Sequence, residues 1–118
     1  MPFRSLFELQ EFDDRLSIDE QLRAELKLKL DGISASDLPS YTRLAIKSVI
    51  DDNVAKHLTW RGTRHKLSIQ SFTICSVIKE LALNKFSNGT EVEINRVIQQ
   101  HFVHAQDWVN KREKTLKN

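Results

Sequence analysis

The chain has 118 residues, the size of one domain, and 36 of them are Leu, Ile, Val or Phe, which is enough to form a packed core. Three glycines and two prolines leave few sharp turns, which argues against a β-sandwich or barrel and favours long helices. A single cysteine excludes a disulfide framework and a multi-thiolate zinc site, and no apolar run reaches the ~18–20 residues of a membrane span. The composition therefore predicts a single all-α domain over residues 1–118, in a reducing intracellular compartment.

Charge is divided unevenly along the chain. Residues 1–53 carry 7 Lys or Arg against 11 Asp or Glu, whereas residues 54–118 carry 11 against 5, so the two parts have net charges of −4 and +6. This split indicates an acidic side and a basic side, and a basic side attracts polyanions. The alternative is that these charges scatter over a solvated surface.

Several helix starts are visible as a hydroxyl residue followed three positions later by Glu. This pattern is typical of a capping box, in which the hydroxyl accepts a backbone N–H and the carboxylate bonds to the N–H of the cap. The three segments are Ser5-x-x-Glu8, Ser17-x-x-Glu20 and Thr90-x-x-Glu93. Gly32 is expected to form a left-handed cap at the end of the second helix. A third helix is predicted to start at Ser36 or Asp37, with Pro39 in its first turn.

Residues 58–67 lack helical periodicity, and Gly62 at their centre favours a turn. We therefore predict a short extended or hairpin element there. Ser68 or Ser71 is expected to cap the helix that follows it. The last apolar repeat runs from Thr90 to about residue 112 and fits either one long helix or two, and the polar segment 110–118 is predicted to fray. In total the sequence predicts five or six helices.

Motifs for catalysis or metal binding are sparse. Cys75 lies on an apolar stripe, where a buried thiol is inert. His101 and His104 are one helical turn apart, but no third ligand is spaced to join them, so packing or surface roles are expected instead. The acidic pairs 13–14 and 51–52 are expected at helix ends or turns. We therefore predict a protein that is not an enzyme and that uses no cofactor and no metal.

A basic segment runs from Trp60 to Lys66 around a glycine. The guanidinium groups of Arg61 and Arg64 fit a phosphate or a guanine edge, and Gly62 lets the backbone approach a phosphate. Trp60 is expected to anchor the segment in the core while the three cations face outward. The segment is therefore a candidate phosphate-binding loop.

A second polar group lies on the last helix, away from its apolar stripe. Amides and cations in such a position are typical of a helix that enters the major groove of DNA, although a plain solvated face has the same composition. The residues are Arg96, Gln99, Gln100, Lys111 and Arg112.

The order of these segments resembles the family catalogued as the domain of unknown function 4806. The resemblance rests on Trp60-x-Gly62 followed by basic residues, on the run "FTICSVIKEL", and on the closing helix "TEVEINRVIQQHFVHAQDWV". The layout is also similar to BEN domains, small helical modules that bind DNA or chromatin partners through a loop and the last helix. The acidic first half departs from a typical DNA-binding BEN module and leaves room for a protein-binding role. The resemblance implies a nuclear module with no catalytic activity.

Two hypotheses follow. In the first, the domain binds double-stranded DNA: Arg61, Arg64 and Lys66 contact phosphate, while Arg96, Gln99, Lys111 and Arg112 follow the groove. In the second, it is a protein-interaction or homodimerisation domain of a chromatin- or transposon-associated protein, and large apolar residues near its ends form an exposed patch. The residues expected in that patch are Phe3, Phe7, Phe86 and Trp108, together with Phe102 and Leu116.

Overall fold

The computed structural model describes the backbone of residues 2–117 and the side chains as far as Lys114. Residues 2–117 form six α-helices and two strands of two residues each, which confirms the predicted all-α class. The elements are α1 (Leu6–Ile18), α2 (Glu20–Asp31), α3 (Leu38–Val49), α4 (Asp52–Ala55), β1 (Leu58–Thr59), β2 (Leu67–Ser68), α5 (Thr73–Lys85) and α6 (Glu91–Lys117). A short 3-10 turn, Ile69–Ser71, connects β2 to α5.

Helix α5 is the centre of the fold. It packs against α1, α2, α3 and α6. Its sequence suits this position because apolar side chains cover more than one of its faces, and Ile74, Val77 and Ile78 are among those that are buried. The surrounding helices are also joined to one another: the hydroxyl of Tyr41 on α3 donates to the carbonyl of Leu30 on α2 at 2.9 Å. The result is one continuous core.

The start of α5 is capped from a distant helix. Phe72 occupies the cap position and has no polar side chain, so the first N–H groups of α5 have no local acceptor. The carboxylate of Asp13, in the middle of α1, accepts from the N–H of Thr73 at 3.0 Å and of Ile74 at 2.8 Å. Burial raises the pKa of the Asp13 carboxyl, and the two backbone hydrogen bonds act in the opposite direction.

Two expectations about this region are therefore wrong. Ser68 and Ser71 do not cap α5: the Ser68 hydroxyl donates to the carbonyl of Trp60, and the Ser71 hydroxyl donates to the carbonyl of Ser68. Asp13 does not lie at a helix end, because α1 continues to Ile18.

The other predicted helix starts have mixed outcomes. Those at Ser5 and Thr90 are confirmed, since each hydroxyl accepts a backbone N–H of the first turn, at 3.4 and 3.2 Å respectively. The start of α3 is confirmed with Asp37 as the cap.

The start at Ser17 is wrong, because Ser17 lies inside α1 and its hydroxyl donates to the carbonyl of Asp14. Asp19, two residues later, caps α2 by accepting from the N–H of Leu22 at 3.0 Å. The left-handed cap at Gly32 is also wrong: its φ is −75°, an ordinary right-handed value. Asp19 therefore both ends α1 and caps α2, where Ser17 was expected to be the cap.

The extended element at 58–67 is present, but it is not a hairpin. Strand β1 pairs with β2 in parallel, with Leu58 beside Leu67 and Thr59 beside Ser68. The connecting loop, residues 60–66, passes through Gly62 with a φ of +83° and brings the chain back, so that the second strand runs in the same direction as the first.

The last apolar repeat forms one helix, α6, which contacts α3, α4, α5 and β1. It continues into the segment 110–118 as far as Lys117; residue 118 lies outside the described residues, and the predicted fraying of this end stays a prediction. Within residues 2–117, no helix combines the length and apolar character that a membrane crossing requires.

We expect Asp13→Ala to lower the free energy of unfolding by about 1–2 kcal/mol, because two N–H groups of α5 lose their acceptor. Asp14→Ala is the matched control: it makes the same change one residue along α1, at an exposed side chain, and is expected to change stability by less than about 0.5 kcal/mol. Urea unfolding followed by circular dichroism measures both. Equal effects of the two substitutions would show that the long-range cap does not stabilise the fold.

Candidate nucleic-acid interface

The solvent-exposed side of α6 is rich in amides. Its opposite side is buried against the core through residues such as Ile94, His101 and Ala105. We name the exposed side the α6 face; its residues are Val92, Arg96, Gln99, Gln100, Val103, His104, Gln106, Asp107, Asn110, Lys111 and Lys114. Asp107 is the one carboxylate in this set, and its Oδ2 lies 3.6 Å from Nδ1 of His104. Glu113, which is also exposed, lies beside the set and lines a surface depression with Asp107, Asn110 and Lys111. The α6 face therefore presents amides and cations around Gln99 and Gln100, and carboxylates towards its C-terminal end.

The loop of residues 60–66 is held by its own hydrogen bonds. The N–H of Gly62 donates to Oγ1 of Thr59 at 2.8 Å. Oγ1 of Thr63 accepts from the N–H of His65 and of Lys66, and the N–H of Thr63 donates to the carbonyl of Lys66. These four backbone N–H groups are already hydrogen-bonded, so the N–H of Gly62 is not available to a phosphate at the loop.

Trp60 anchors the loop, as expected. Its ring is half-buried and packs against the core, and Nζ of Lys79 lies 6.0 Å from the ring centroid. Arg61 and Arg64 are exposed, whereas Lys66 is half-buried. The loop thus holds two guanidinium groups in solvent on a fixed backbone.

An open groove of about 400 Å³ separates the loop from α6. Arg61 and Lys66 line one side of it, and Gln99 lines the other together with Phe102 and Val103. The rest of its lining is Thr59, Trp60, Gly62 and Thr63, so no carboxylate lines it. The structure therefore brings together three of the predicted site residues, Arg61, Lys66 and Gln99. We call this the loop groove.

Lys111 and Arg112 do not line the loop groove. Gln99 and Lys111 are twelve residues apart, which at 100° per residue places them about 120° apart around the helix axis. Lys111 and Arg112 line a separate depression of about 350 Å³ with Asp52 and Trp108. Nη2 of Arg112 lies 3.5 Å from Oδ2 of Asp52, so this guanidinium is directed towards α4 and not towards the α6 face.

Two cations on α3 belong to this region: Lys47 lines the same depression, and Arg43 lies next to Lys47 on the helix. Nζ of Lys47 lies 4.7 Å from the ring centroid of Trp108, and Arg43 is exposed one helical turn before it. We call Arg43 and Lys47 the α3 strip. Sequence reasoning missed them because they lie in the acidic half of the chain. Their signal was the spacing of four residues on the side of α3 away from its apolar stripe.

His101 is buried beneath this region. It is 2% exposed, its ring lies 4.9 Å from that of Trp108 and 5.2 Å from that of Phe102, and neither ring nitrogen has a hydrogen-bond partner among the described residues. Burial, and then the positive charges of Lys47 and Arg43, lower its pKa to about 4. His101 is therefore neutral at physiological pH.

The structure also shows the surroundings of the cysteine and of the residue types that could bind a metal. Cys75 is buried as expected, and burial raises the pKa of its thiol to about 11. Among the side chains that the structure describes, no three His, Cys, Asp or Glu residues are grouped as metal ligands.

The predicted apolar patch is dispersed. Phe3, Phe86 and Trp108 are half-buried and pack against the core, with ring contacts of Phe3 to Phe12 and of Phe86 to Tyr41. Phe102 is buried, and the side chain of Leu116 lies outside the described residues. Phe7 differs from these residues: it is 72% exposed on the outer side of α1.

Comparison of the chain with protein-family models, with curated proteins and with solved structures found no match in any of the three. The resemblance to the domain of unknown function 4806 and to the BEN layout therefore stays a prediction.

We expect Gly62→Ala to lower the free energy of unfolding by about 1–2 kcal/mol, because a φ of +83° is costly for any residue with a Cβ. The added Cβ would also lie 3.2 Å from Cβ of Ser68. Gly32→Ala is the control, since that glycine has an ordinary φ and room for a methyl group. Thermal unfolding of both variants measures the difference, and a neutral Gly62→Ala would contradict the left-handed turn.

The depressed pKa of His101 makes stability depend on pH. Between its folded pKa of about 4 and its ordinary value of 6.5, the unfolded chain binds a proton that the folded chain does not bind. Stability is therefore lost as pH falls through this window, by about 2 kcal/mol between roughly pH 7.5 and pH 5. We expect His101→Leu to remove this part of the acid sensitivity in urea unfolding at the two pH values. His104→Leu, at an exposed position one turn later, is expected to retain it, and retention by His101→Leu would show that His101 is not the group responsible.

Proposed function

We propose that this domain binds double-stranded DNA and catalyses no reaction, with the α6 face in the major groove and the loop 60–66 on the phosphates of one strand. The observation that carries the proposal is the loop groove, which joins cations of the loop to an amide of the α6 face with no carboxylate in its lining.

The loop suits phosphate because its cations are not neutralised nearby. No ion pair joins Arg61, Arg64 or Lys66 to a carboxylate among the described residues. Arginine presents a planar fork that fits phosphate oxygens, and the internal hydrogen bonds of the loop reduce the conformational freedom that binding would remove. Phosphate contacts of this kind give affinity and orientation without base specificity.

The α6 face suits base edges. The major groove is wide enough for an α-helix, where Gln pairs with adenine and Arg with guanine. Arg96, Gln99 and Gln100 lie on adjacent turns of the exposed side, and Val103 adds an apolar group of the kind that contacts a thymine methyl. With a duplex as the ligand, we propose a nuclear location and a role in chromatin or transcription.

A second function, protein interaction or homodimerisation, is favoured by one surface. Phe7 and Ile18 are 72% and 84% exposed, and their spacing of eleven residues puts them on the same outer side of α1. Glu11 and Asp14 lie between them on that side. Light scattering at increasing protein concentration tests self-association, and Phe7→Ser would reduce it if this surface is the interface.

We expect the double substitution Arg61→Gln and Arg64→Gln, the loop variant, to weaken duplex binding and its dependence on salt. Each phosphate contact contributes about 0.9 to the slope of log affinity against log salt concentration, so the slope should fall in magnitude by about 1.8. Fluorescence anisotropy of a labelled duplex at several salt concentrations measures it.

The matched control is Arg4→Gln with Arg15→Gln, the control variant, which removes two exposed charges from the acidic half of the chain. It should leave the slope close to that of the unsubstituted protein. A loop variant that binds as the control variant does, or an unsubstituted protein whose binding is insensitive to salt, would contradict the proposal.

A further inference from the structure

Helix α6 has a cationic surface on each of its two flanks. The loop groove borders the flank of Gln99 and Val103, and the α3 strip borders the flank of Trp108 and Lys111. We propose that the α3 strip, Arg43 and Lys47, binds the phosphates of the second DNA strand, so that the domain holds a duplex from both sides of α6. This inference rests on the proposed function and adds to it a contact surface in the acidic half of the chain.

The charge at this flank is positive after its ion pair is counted. The depression there contains Lys47, Lys111 and Arg112 and a single carboxylate, Asp52. The Asp52 side chain is only 13% exposed and is directed to Arg112, so it neutralises that guanidinium and leaves the charge of Lys47 uncompensated. Arg43, one turn away on α3, is a further exposed cation, and it also acts on the exposed carboxylate of Asp37 at the start of that helix.

The two cations of the α3 strip also act on the buried histidine beneath them. Lys47 and Arg43 both act on His101 from α3, and both disfavour its protonation. The nearest groups from α6 are the aromatic rings of Phe102 and Trp108, which carry no charge. Burial is the larger cause of the lowered pKa of His101, and the two cations add to it, so both lie close enough to the ring to act on it.

Lys47 is held in position for such a contact. Its ammonium lies over the ring of Trp108, 4.7 Å from the centroid, while the residue as a whole stays exposed. The ring of Trp108 faces one side of the Lys47 ammonium group. The N–H groups on the other sides of the ammonium remain available to an anion. This arrangement restricts a flexible side chain before binding and so lowers the entropy that a phosphate contact would cost.

The geometry of a duplex matches this arrangement. A helix of about 10–12 Å in diameter fills a major groove about 12 Å wide, and phosphates of one strand border it on each side. Gln99 and Lys111, at the two flanks, are separated by twelve residues, which is about 18 Å along the axis. Cations on only one flank would contact a single strand, whereas the loop and the α3 strip together contact both.

The test is the double substitution Arg43→Gln and Lys47→Gln, the strip variant, compared with the loop variant and the control variant by fluorescence anisotropy on the same labelled duplex. We expect the strip variant to lower the magnitude of the salt slope by about 1.8, as two lost phosphate contacts predict, and the combination of strip and loop variants to lower it by about 3.6. Urea unfolding verifies that each protein is folded. The conservative pair Arg43→Lys and Lys47→Arg keeps both charges and should retain most of the slope.

The outcomes separate the two proposals. If the loop variant lowers the slope and the strip variant binds as the control variant does, the second-strand contact is overturned and duplex binding by the loop stands. If the unsubstituted protein shows no salt-dependent binding of duplex, the proposed function itself fails. A single strand of the same length cannot place phosphates on both flanks in register, so the strip variant should change its slope by less than half as much; an equal change would overturn the assignment to the second strand.

Discussion

One buried carboxylate determines where the central helix begins. Asp13 receives the first two N–H groups of α5 from a position sixty residues earlier in the chain. Helix α5 packs against four other helices, and the 3-10 turn that leads into it follows directly from β2. The position of the loop 60–66 against α6 therefore depends on this contact between α1 and α5. A carboxylate is suited to the role because it can accept both N–H groups at once, one on each oxygen.

Features that depend on neighbours within one turn were predictable from the sequence. The caps at Ser5, Asp37 and Thr90 each involve a side chain and the N–H three residues later, so the pattern alone predicts them. The burial of Cys75 followed from its place on an apolar stripe for the same reason. The exposure of Arg61 and Arg64 was predictable because a guanidinium with no carboxylate near it in the sequence is rarely buried.

Features that depend on distant parts of the chain were not predictable. No local pattern joins Asp13 to Thr73, and the parallel pairing of Leu58 with Leu67 follows from the path of the loop and not from alternation in either strand. Arg112 was expected on the groove-facing side, but thirteen residues at 100° per residue place it about 140° from Gln99 around the axis of α6. What the sequence could not show is its ion pair with Asp52 of α4. The net negative charge of residues 1–53 gave no indication of a role for Lys47. A sum of charges cannot show that the Lys47 side chain lies against Trp108, sixty-one residues later.

The burial of the one cysteine has a practical consequence for measuring motion in this protein. Cys75 lies inside the core on α5, and its high pKa keeps it as the unreactive thiol while the core is closed. A thiol-specific reagent can therefore modify it only during those excursions in which α5 separates from its neighbours. The rate of modification reports how often such excursions occur and what they cost, and it does so without any label being introduced into the chain.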